Sequence, residues 1–237
     1  MCLCLCQSTL QNGKITLFNI SRDSMVDVTM YSAGGAYAGT EKQQICLSYS
    51  YGDGKESSCE NTVNSVQRLF YNIPINTYFS LDLDGISALN DSVGGVDVVS
   101  PETIGEFVEG ESYHLVGQQA ESFVRTRDTS KTDSNNMRMQ RQKVYIQSFM
   151  NTVLQQTKKD LTTPIDLFNA SAPYSCTNLN PSKVSYLAQQ AVLGGMNGID
   201  MVSVPGQVAM GSKYAEFNVS EAEFYQLFLS IYYTKIE

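Results

Sequence analysis

Five of the six arginines in the chain fall in three short segments, whereas the ten lysines are scattered. The five grouped arginines are Arg22, Arg125, Arg127, Arg138 and Arg141. A guanidinium carries a fixed fork of N–H donors that fits two phosphate oxygens at once, which a lysine ammonium does not offer. The grouping therefore predicts an anion site, although a surface ion pair would explain any one of these arginines taken alone.

Arg125 and Arg127 lie in the run Val124-Arg125-Thr126-Arg127-Asp128, whose pattern predicts extended backbone. In extended chain the side-chain period of two turns both arginines to one face and Asp128 to the other. Neighbouring guanidiniums repel each other unless an anion or a carboxylate lies between them. The pair is therefore suited to a phosphate or a pyrophosphate.

Arg138, Arg141 and Gln142 lie at i, i+3 and i+4 of a long helix that the apolar period predicts over residues 136–158. Free N–H groups and the helix dipole near its start would add to the attraction for an anion. A solvated polar helix face would explain one of these arginines, but it explains both clusters together poorly. The apolar side of this helix is expected to pack mainly in the core.

The elements that must position these arginines alternate between strands and helices. Strands are predicted over residues 1–7, 14–20, 77–83, 96–99 and 199–204. Further helices are predicted over residues 60–71, 84–90, 117–123, 182–193 and 220–233. Because the chain shows no internal repeat and no linker, the order favours a single α/β domain over residues 1–237.

Composition and charge limit the classes of function. A length of 237 residues with 42% hydrophobic and 17% charged residues is typical of a globular chain with a sizeable core. The net charge of −8 argues against a nucleic-acid binder with a broad basic surface. The sequence contains no run of roughly 20 apolar residues that would predict a membrane helix.

The cysteines and the single histidine give weaker signals. The alternating cysteines within residues 2–6 lack a second ligand cluster, and His114 stands outside every arginine segment, so no metal ligand is assigned. Cys46 and Cys59 could pair if the protein is extracellular, which would leave Cys176 unpaired. The disulfide state therefore stays open at the level of sequence.

Six motifs follow one another along roughly residues 14–154. They are Ile20-Ser21-Arg22-Asp23, Asn76-Thr77-Tyr78-Phe79 through Asp84-Gly85, Gly94-Gly95-Val96-Asp97-Val98, Leu115-x-Gly117-x-x-Ala120, Val124-Arg125-Thr126-Arg127-Asp128 and Arg138-x-x-Arg141-Gln142. In this order they resemble the LytR-CpsA-Psr family. The resemblance implies an extracytoplasmic, membrane-anchored phosphotransferase of mostly Gram-positive bacteria, active in cell-wall biogenesis. Such enzymes move a glycopolymer, for example a teichoic acid, from a polyprenyl-pyrophosphate carrier onto peptidoglycan.

The resemblance also implies roles for individual residues. The implied catalytic residues, around the pyrophosphate, are Arg22, Arg125 and Arg127. The implied substrate-binding residues are Asp23, Arg138, Arg141 and Gln142. Asp23 is expected to orient Arg22 or to cap the local turn, and Arg141 could equally form an ion pair away from the site. Because the nucleophile would be a sugar hydroxyl of peptidoglycan, no Ser, Cys or His nucleophile is required.

The fold that the resemblance implies is α/β (α-β-α), with a mixed central β-sheet flanked by helices and an apolar tunnel for the lipid. It also implies magnesium as cofactor. The family's metal-binding aspartates lie just upstream of, and at the start of, the strand with which this chain begins. We therefore expect the magnesium ligands and a membrane helix to precede Met1 in a longer protein, unless the chain is a divergent member without metal chemistry.

Two rival functions are weighed against phosphotransfer. One is a module that binds a polyprenyl phosphate without turnover, which the absence of the metal aspartates leaves open. The other is a transcription regulator, which the net charge of −8 and the lack of a basic recognition helix disfavour. No nucleic-acid partner is therefore expected.

Overall fold

The computed structural model describes residues 3–9, 14–128, 130, 134–193, 199–211 and 214–233. The strands are β1 (Leu3–Thr9), β2 (Lys14–Ile20), β3 (Met25–Tyr31), β4 (Tyr37–Gln44), β5 (Phe79–Leu81), β6 (Val96–Val99), β7 (Ser112–Leu115), β8 (Ser175–Thr177), β9 (Ile199–Ser203), β10 (Gly206–Met210) and β11 (Ala215–Val219). The helices are α1 (Leu47–Ser50), α2 (Glu56–Leu69), α3 (Asp84–Ser92), α4 (Gln118–Arg125), α5 (Ser134–Lys159), α6 (Thr163–Ser171), α7 (Pro181–Leu193) and α8 (Glu221–Tyr232).

The strands pair in small sheets with helices around them. Strands β1, β2 and β9 form a three-stranded sheet with β2 in the middle. Antiparallel pairs join β3 to β4, β5 to β8, β6 to β7 and β10 to β11. The α/β class predicted from the sequence is confirmed. The predicted β1–β2 neighbourhood is confirmed as well, whereas residues 11–13 of its predicted turn lie outside the described residues.

The chain divides into two compact units, each assembled from separate stretches of sequence. Unit 1 contains Met1–Cys4, Asn19–Tyr78 and Ser203–Glu237. Unit 2 contains Leu5–Phe18 and Phe79–Val202. The interpretation of residues 1–237 as one domain stays a prediction.

The core of unit 2 forms where α4 and α5 pack beside strands β6 and β7. Its buried residues are Val93, Val96, Val98, Phe107, Leu115, Ala120, Phe123, Val124 and Tyr145. Phe107 meets Phe123 edge to face with ring centroids 5.0 Å apart. Helix α5 adds partly buried side chains to this cluster and to a second one, and these are Val144, Ile146, Phe149, Met150 and Val153. The predicted core role of the apolar side of α5 is therefore confirmed, and the lipid tunnel stays a prediction.

Unit 1 is built around the β3–β4 hairpin, α2 and α8. Phe70, directly after α2, meets Phe224 of α8 edge to face with ring centroids 5.0 Å apart. Cys46 and Cys59 are both buried as free thiols, so the disulfide considered for them is not formed in the structure.

Candidate functional site

Helix α4 ends at Arg125, and the next residue, Thr126, has extended backbone with φ −54° and ψ 137°. The prediction that Val124 and Arg125 are extended is therefore wrong. Four residues of α4 are buried along one side of the helix, and burial of this side favours helix over strand up to Arg125. Arg125 and Arg127 thus flank a single extended residue at the end of a helix, instead of sharing one strand face.

The end of α4 is held by side chains of α5. The last carbonyls of a helix have no intrahelical donors and need other partners. Gln142 donates from Nε2 to the Val124 carbonyl at 3.1 Å, and Arg141 donates from Nη2 to the Thr126 carbonyl. The backbone on both sides of Arg125 is therefore tied to two consecutive residues of α5.

Thr126 adds two bonds back to α4. Its N–H donates to the Ser122 carbonyl at 3.0 Å, and its hydroxyl donates to the same oxygen at 2.7 Å. Together with the two bonds from α5, these contacts fix the residue that separates Arg125 from Arg127. A fixed spacing between two guanidiniums is what two-point recognition of an anion requires.

Arg125 is 63% exposed and forms an ion pair with Glu121 one helical turn earlier, with Nη1 2.6 Å from Oε1. Its positive charge at the helix C-terminus also interacts favourably with the helix dipole. A guanidinium has five N–H donors, so the exposed group can bind an anion while Glu121 is engaged. Arg127 is also exposed. The two exposed arginines of this segment are therefore within reach of a ligand from solvent.

Arg141 is fully buried, and its Nε lies 3.1 Å from Oε1 of Glu102, whose side chain is 12% exposed. Burial lowers the pKa of the Arg141 guanidinium, the negative charge of Glu102 opposes this shift, and the positive charge of Arg138 adds to it. The ion-pair alternative that the sequence left open for Arg141 is therefore present. A direct role of Arg141 in substrate binding stays a prediction.

Sequence reasoning missed Glu102. This residue lies in the loop after β6, outside every motif, and no spacing marks it as a partner of α5. The only available signal is indirect, because a buried arginine requires a carboxylate or a set of carbonyl acceptors. Sequence cannot show which arginine is buried or which acid meets it.

Arg138 and Gln142 lie one helical turn apart on α5, as predicted, and both are half-buried. Because α5 begins at Ser134, Arg138 is its fifth residue and lies beyond the four free N–H groups of the first turn. The expected support from the helix start is therefore weaker for these side chains, since the dipole effect is confined to the first turn.

Arg22 and Asp23 belong to unit 1, whereas the other predicted site residues belong to unit 2. Arg22 directs Nη2 to the Cys46 sulfur at 3.5 Å, and its Nε lies 3.6 Å from Oδ1 of Asp23. Gln44 donates from Nε2 to the same Asp23 oxygen at 3.2 Å. Asp23 therefore contacts Arg22 in the way that an orienting role requires, and Gln44 and Cys46 are neighbours that the sequence analysis did not identify.

Within the described ranges, no group of three or more His, Cys, Asp or Glu side chains could hold a metal ion. His114 meets only one carboxylate, with Nδ1 2.8 Å from Oδ1 of Asp97. We therefore assign no magnesium ligand among the described residues and derive no chemical step through magnesium. No helix in the described part of the chain is long and apolar enough to cross a membrane.

The fold is α/β, and the exposed arginines at the end of α4 are suited to bind an anion. The model of the LytR_cpsA_psr family matches residues 3–229, and the chain therefore belongs to the LytR-CpsA-Psr family.

Two curated proteins and one crystal structure illustrate the similarity. The chain is 31% identical over 148 residues to the polyisoprenyl-teichoic acid–peptidoglycan teichoic acid transferase TagU of Enterococcus faecalis, covering 61% of this chain and 44% of that protein. It is 30% identical over 132 residues to the corresponding transferase TagV of Bacillus subtilis, covering 51% of this chain and 30% of that protein. The matches thus span less than half the length of these relatives.

The crystal structure of B. subtilis TagV superposes with a TM-score of 0.72 at 22% identity, covering 99% of this chain and 90% of that chain. At this level of identity the superposition establishes the shared fold.

Proposed function

We propose that this chain binds a polyprenyl-pyrophosphate-linked glycopolymer and transfers the polymer to peptidoglycan as a phosphotransferase of cell-wall assembly. Family membership supports this proposal, as do the names of the relatives, which are teichoic acid transferases acting between a polyisoprenyl carrier and peptidoglycan. A teichoic acid is therefore the first polymer to test. Because peptidoglycan lies outside the cytoplasmic membrane, this function requires an extracytoplasmic location.

The observation that carries the proposal is the pair of exposed arginines on either side of the fixed residue Thr126. A pyrophosphate diester carries about two negative charges at neutral pH, and its cleavage develops further charge on the leaving oxygen. Guanidiniums that are already in position stabilise this charge without proton exchange and with little reorganisation. In a chain of net charge −8, this local positive cluster is the feature that suits the anionic group of the carrier.

The proposed reaction is a displacement at phosphorus. A sugar hydroxyl of peptidoglycan attacks the phosphorus that bears the glycopolymer, and a new P–O bond forms. The bond from this phosphorus to the bridging oxygen breaks, and polyprenyl phosphate leaves with the electron pair. The hydroxyl proton passes to solvent or to a base. In this scheme Arg125 and Arg127 bind the pyrophosphate oxygens, Arg22 is oriented by Asp23, and Arg138 and Gln142 contribute to the head-group site.

Binding and transfer should be measured separately. The chain is titrated with geranylgeranyl pyrophosphate, and transfer is followed from a lipid-linked oligosaccharide to peptidoglycan fragments. Arg125→Ala and Arg127→Ala should each weaken binding by about 1.5–3 kcal/mol, the range for hydrogen bonds to charged groups. Arg68→Ala is the matched control, because Arg68 lies outside the motifs and donates to the Asp27 carbonyl and the Thr29 hydroxyl in unit 1.

Unchanged affinity in both motif variants would overturn the site assignment. Tight binding by the wild type without any transfer would favour the rival function, a module that binds the carrier lipid without turnover.

A further inference from the structure

Glu102 is a buried carboxylate whose own backbone is held in place. Its carbonyl accepts a hydrogen bond of 2.7 Å from the Ser100 hydroxyl, and Ser100 is itself paired through its N–H with the Glu111 carbonyl at 3.0 Å. The side chain is only 12% exposed and has Arg141 as its ion-pair partner. Removing a carboxylate from water costs free energy, so we expect the buried charge of Glu102 to have a specific role.

The contacts form a chain that leads from Glu102 to the predicted anion site. The carboxylate lies 3.1 Å from Nε of Arg141, and Nη2 of Arg141 donates to the carbonyl of Thr126. The Nε of Arg141 and the Oε1 of Glu102 form no hydrogen bond, so the carboxylate holds the guanidinium through its charge. This attraction favours the arrangement in which Arg141 binds the Thr126 carbonyl.

We propose that Glu102 and Arg141 are positioning residues that set the spacing between the guanidiniums of Arg125 and Arg127. The inference rests on the proposed function, since it takes a pyrophosphate as the ligand that both arginines bind. If Glu102 cannot direct Arg141, residues 126–128 lose their anchor to α5, and the ligand must order them when it binds. A misplacement of about 1 Å in such a site costs up to about 100-fold in function.

The test compares two probes that differ in the number of phosphates. Geranylgeranyl pyrophosphate engages both arginines, whereas geranylgeranyl monophosphate can be satisfied by one. Glu102→Gln keeps the shape of the side chain and removes its charge. This variant should bind the pyrophosphate about tenfold more weakly than the wild type does, with a much smaller change for the monophosphate. The ratio of the two affinities is informative because partial unfolding would lower both affinities equally.

A second variant separates positioning from stability. Glu102→Met/Arg141→Met replaces the ion pair with apolar side chains of similar length, a change that often preserves stability. This double variant should keep a melting temperature near that of the wild type and still lose the preference for pyrophosphate. Tyr145→Phe is the control. Tyr145 lies on α5 one turn after Arg141, and its hydroxyl donates a buried hydrogen bond to Asn90 of α3, so the change removes that bond without touching Thr126. It should lower the melting temperature and leave the affinity ratio unchanged.

The outcomes separate a failure of the positioning role from a failure of the proposed function. If the wild type does not bind geranylgeranyl pyrophosphate, the proposed function fails. If the wild type prefers the pyrophosphate and both the Glu102→Gln and the double variant retain that preference, the positioning role fails while the proposed function stands. If Tyr145→Phe loses the preference to the same extent, the effect belongs to unit 2 as a whole and the specific role of Glu102 is overturned.

Discussion

The buried pair of Glu102 and Arg141 makes a sharp prediction about stability, because its two members respond differently to the loss of the other. Glu102→Met leaves Arg141, which is 0% exposed, without a carboxylate. A guanidinium does not lose its proton at neutral pH, so the charge stays buried and uncompensated. We expect this variant to lose about 3–5 kcal/mol of unfolding free energy at every pH from 5 to 7.

Arg141→Met leaves the Glu102 carboxylate without its partner. Unlike a guanidinium, a carboxylate can lose its charge by taking up a proton. An ordinary glutamate takes up a proton at a cost of about 3.7 kcal/mol at pH 7 and about 1 kcal/mol at pH 5. The destabilisation caused by the unpaired Glu102 charge cannot exceed these values, because the carboxylate takes up a proton when that costs less. The loss in Arg141→Met, relative to the wild type, should therefore shrink by up to about 2.7 kcal/mol when the pH falls from 7 to 5. In Arg141→Met the Glu102 carboxyl binds a proton more tightly in the folded state than in the unfolded state. Lowering the pH therefore stabilises the folded variant.

Urea denaturation of both single variants and the double variant at pH 7 and pH 5 measures these differences. The double variant should recover most of the loss, because no charge remains buried. Two results would refute the reasoning: a Glu102→Met loss below about 1 kcal/mol, or a double variant as unstable as Glu102→Met. Either would mean that water or another group compensates Arg141.

Three further predictions concern neighbouring contacts. Gln142→Ala should cost about 1–2 kcal/mol in urea denaturation, since it leaves the Val124 carbonyl at the end of α4 without its donor; a neutral result would contradict this capping role. Desolvation, and then the charge of Asp91, raises the pKa of Tyr145, so above pH 10 the unfolded state loses a proton that the folded state keeps. Stability should fall there by up to about 1.4 kcal/mol per pH unit, and Tyr145→Phe should remove this component; equal alkaline slopes would count against it. Arg125→Lys should weaken pyrophosphate binding nearly as much as alanine does in a titration, because lysine lacks the fork; near-normal binding would show that only net charge matters.

The bounds of helix α5 could be predicted from the local sequence pattern. Its predicted range of 136–158 differs from the observed Ser134–Lys159 by two residues at the start and one at the end. A long amphipathic helix repeats the same apolar period over many turns, so the signal is carried by residues close in sequence. The β3–β4 hairpin received no such prediction. Strand β4 is mostly exposed and polar, so it lacks the alternation that marks a half-buried strand.

The segment after α4 shows where local pattern fails. Residues 124–128 read as extended chain, but the buried side of α4 continues through Val124 and keeps Arg125 in the helix. Arg141 and Gln142 of α5 then donate hydrogen bonds to the carbonyls at the end of α4. No local sequence pattern indicates these contacts between two different helices, because many different donors can satisfy the carbonyls of a helix end.

The sequence by itself determined the α/β class and the order of motifs that identifies the family, and it predicted which arginines form an anion site. These depend on residue types and on spacing along the chain. Only the tertiary structure decided which arginines face solvent and which is buried. Arg138 and Arg141 lie three residues apart on one side of α5. Arg138 is half-buried, whereas Arg141 is fully buried and forms an ion pair with Glu102. Residues three positions apart on a helix point about 60° apart, and what each meets depends on the elements packed beside it.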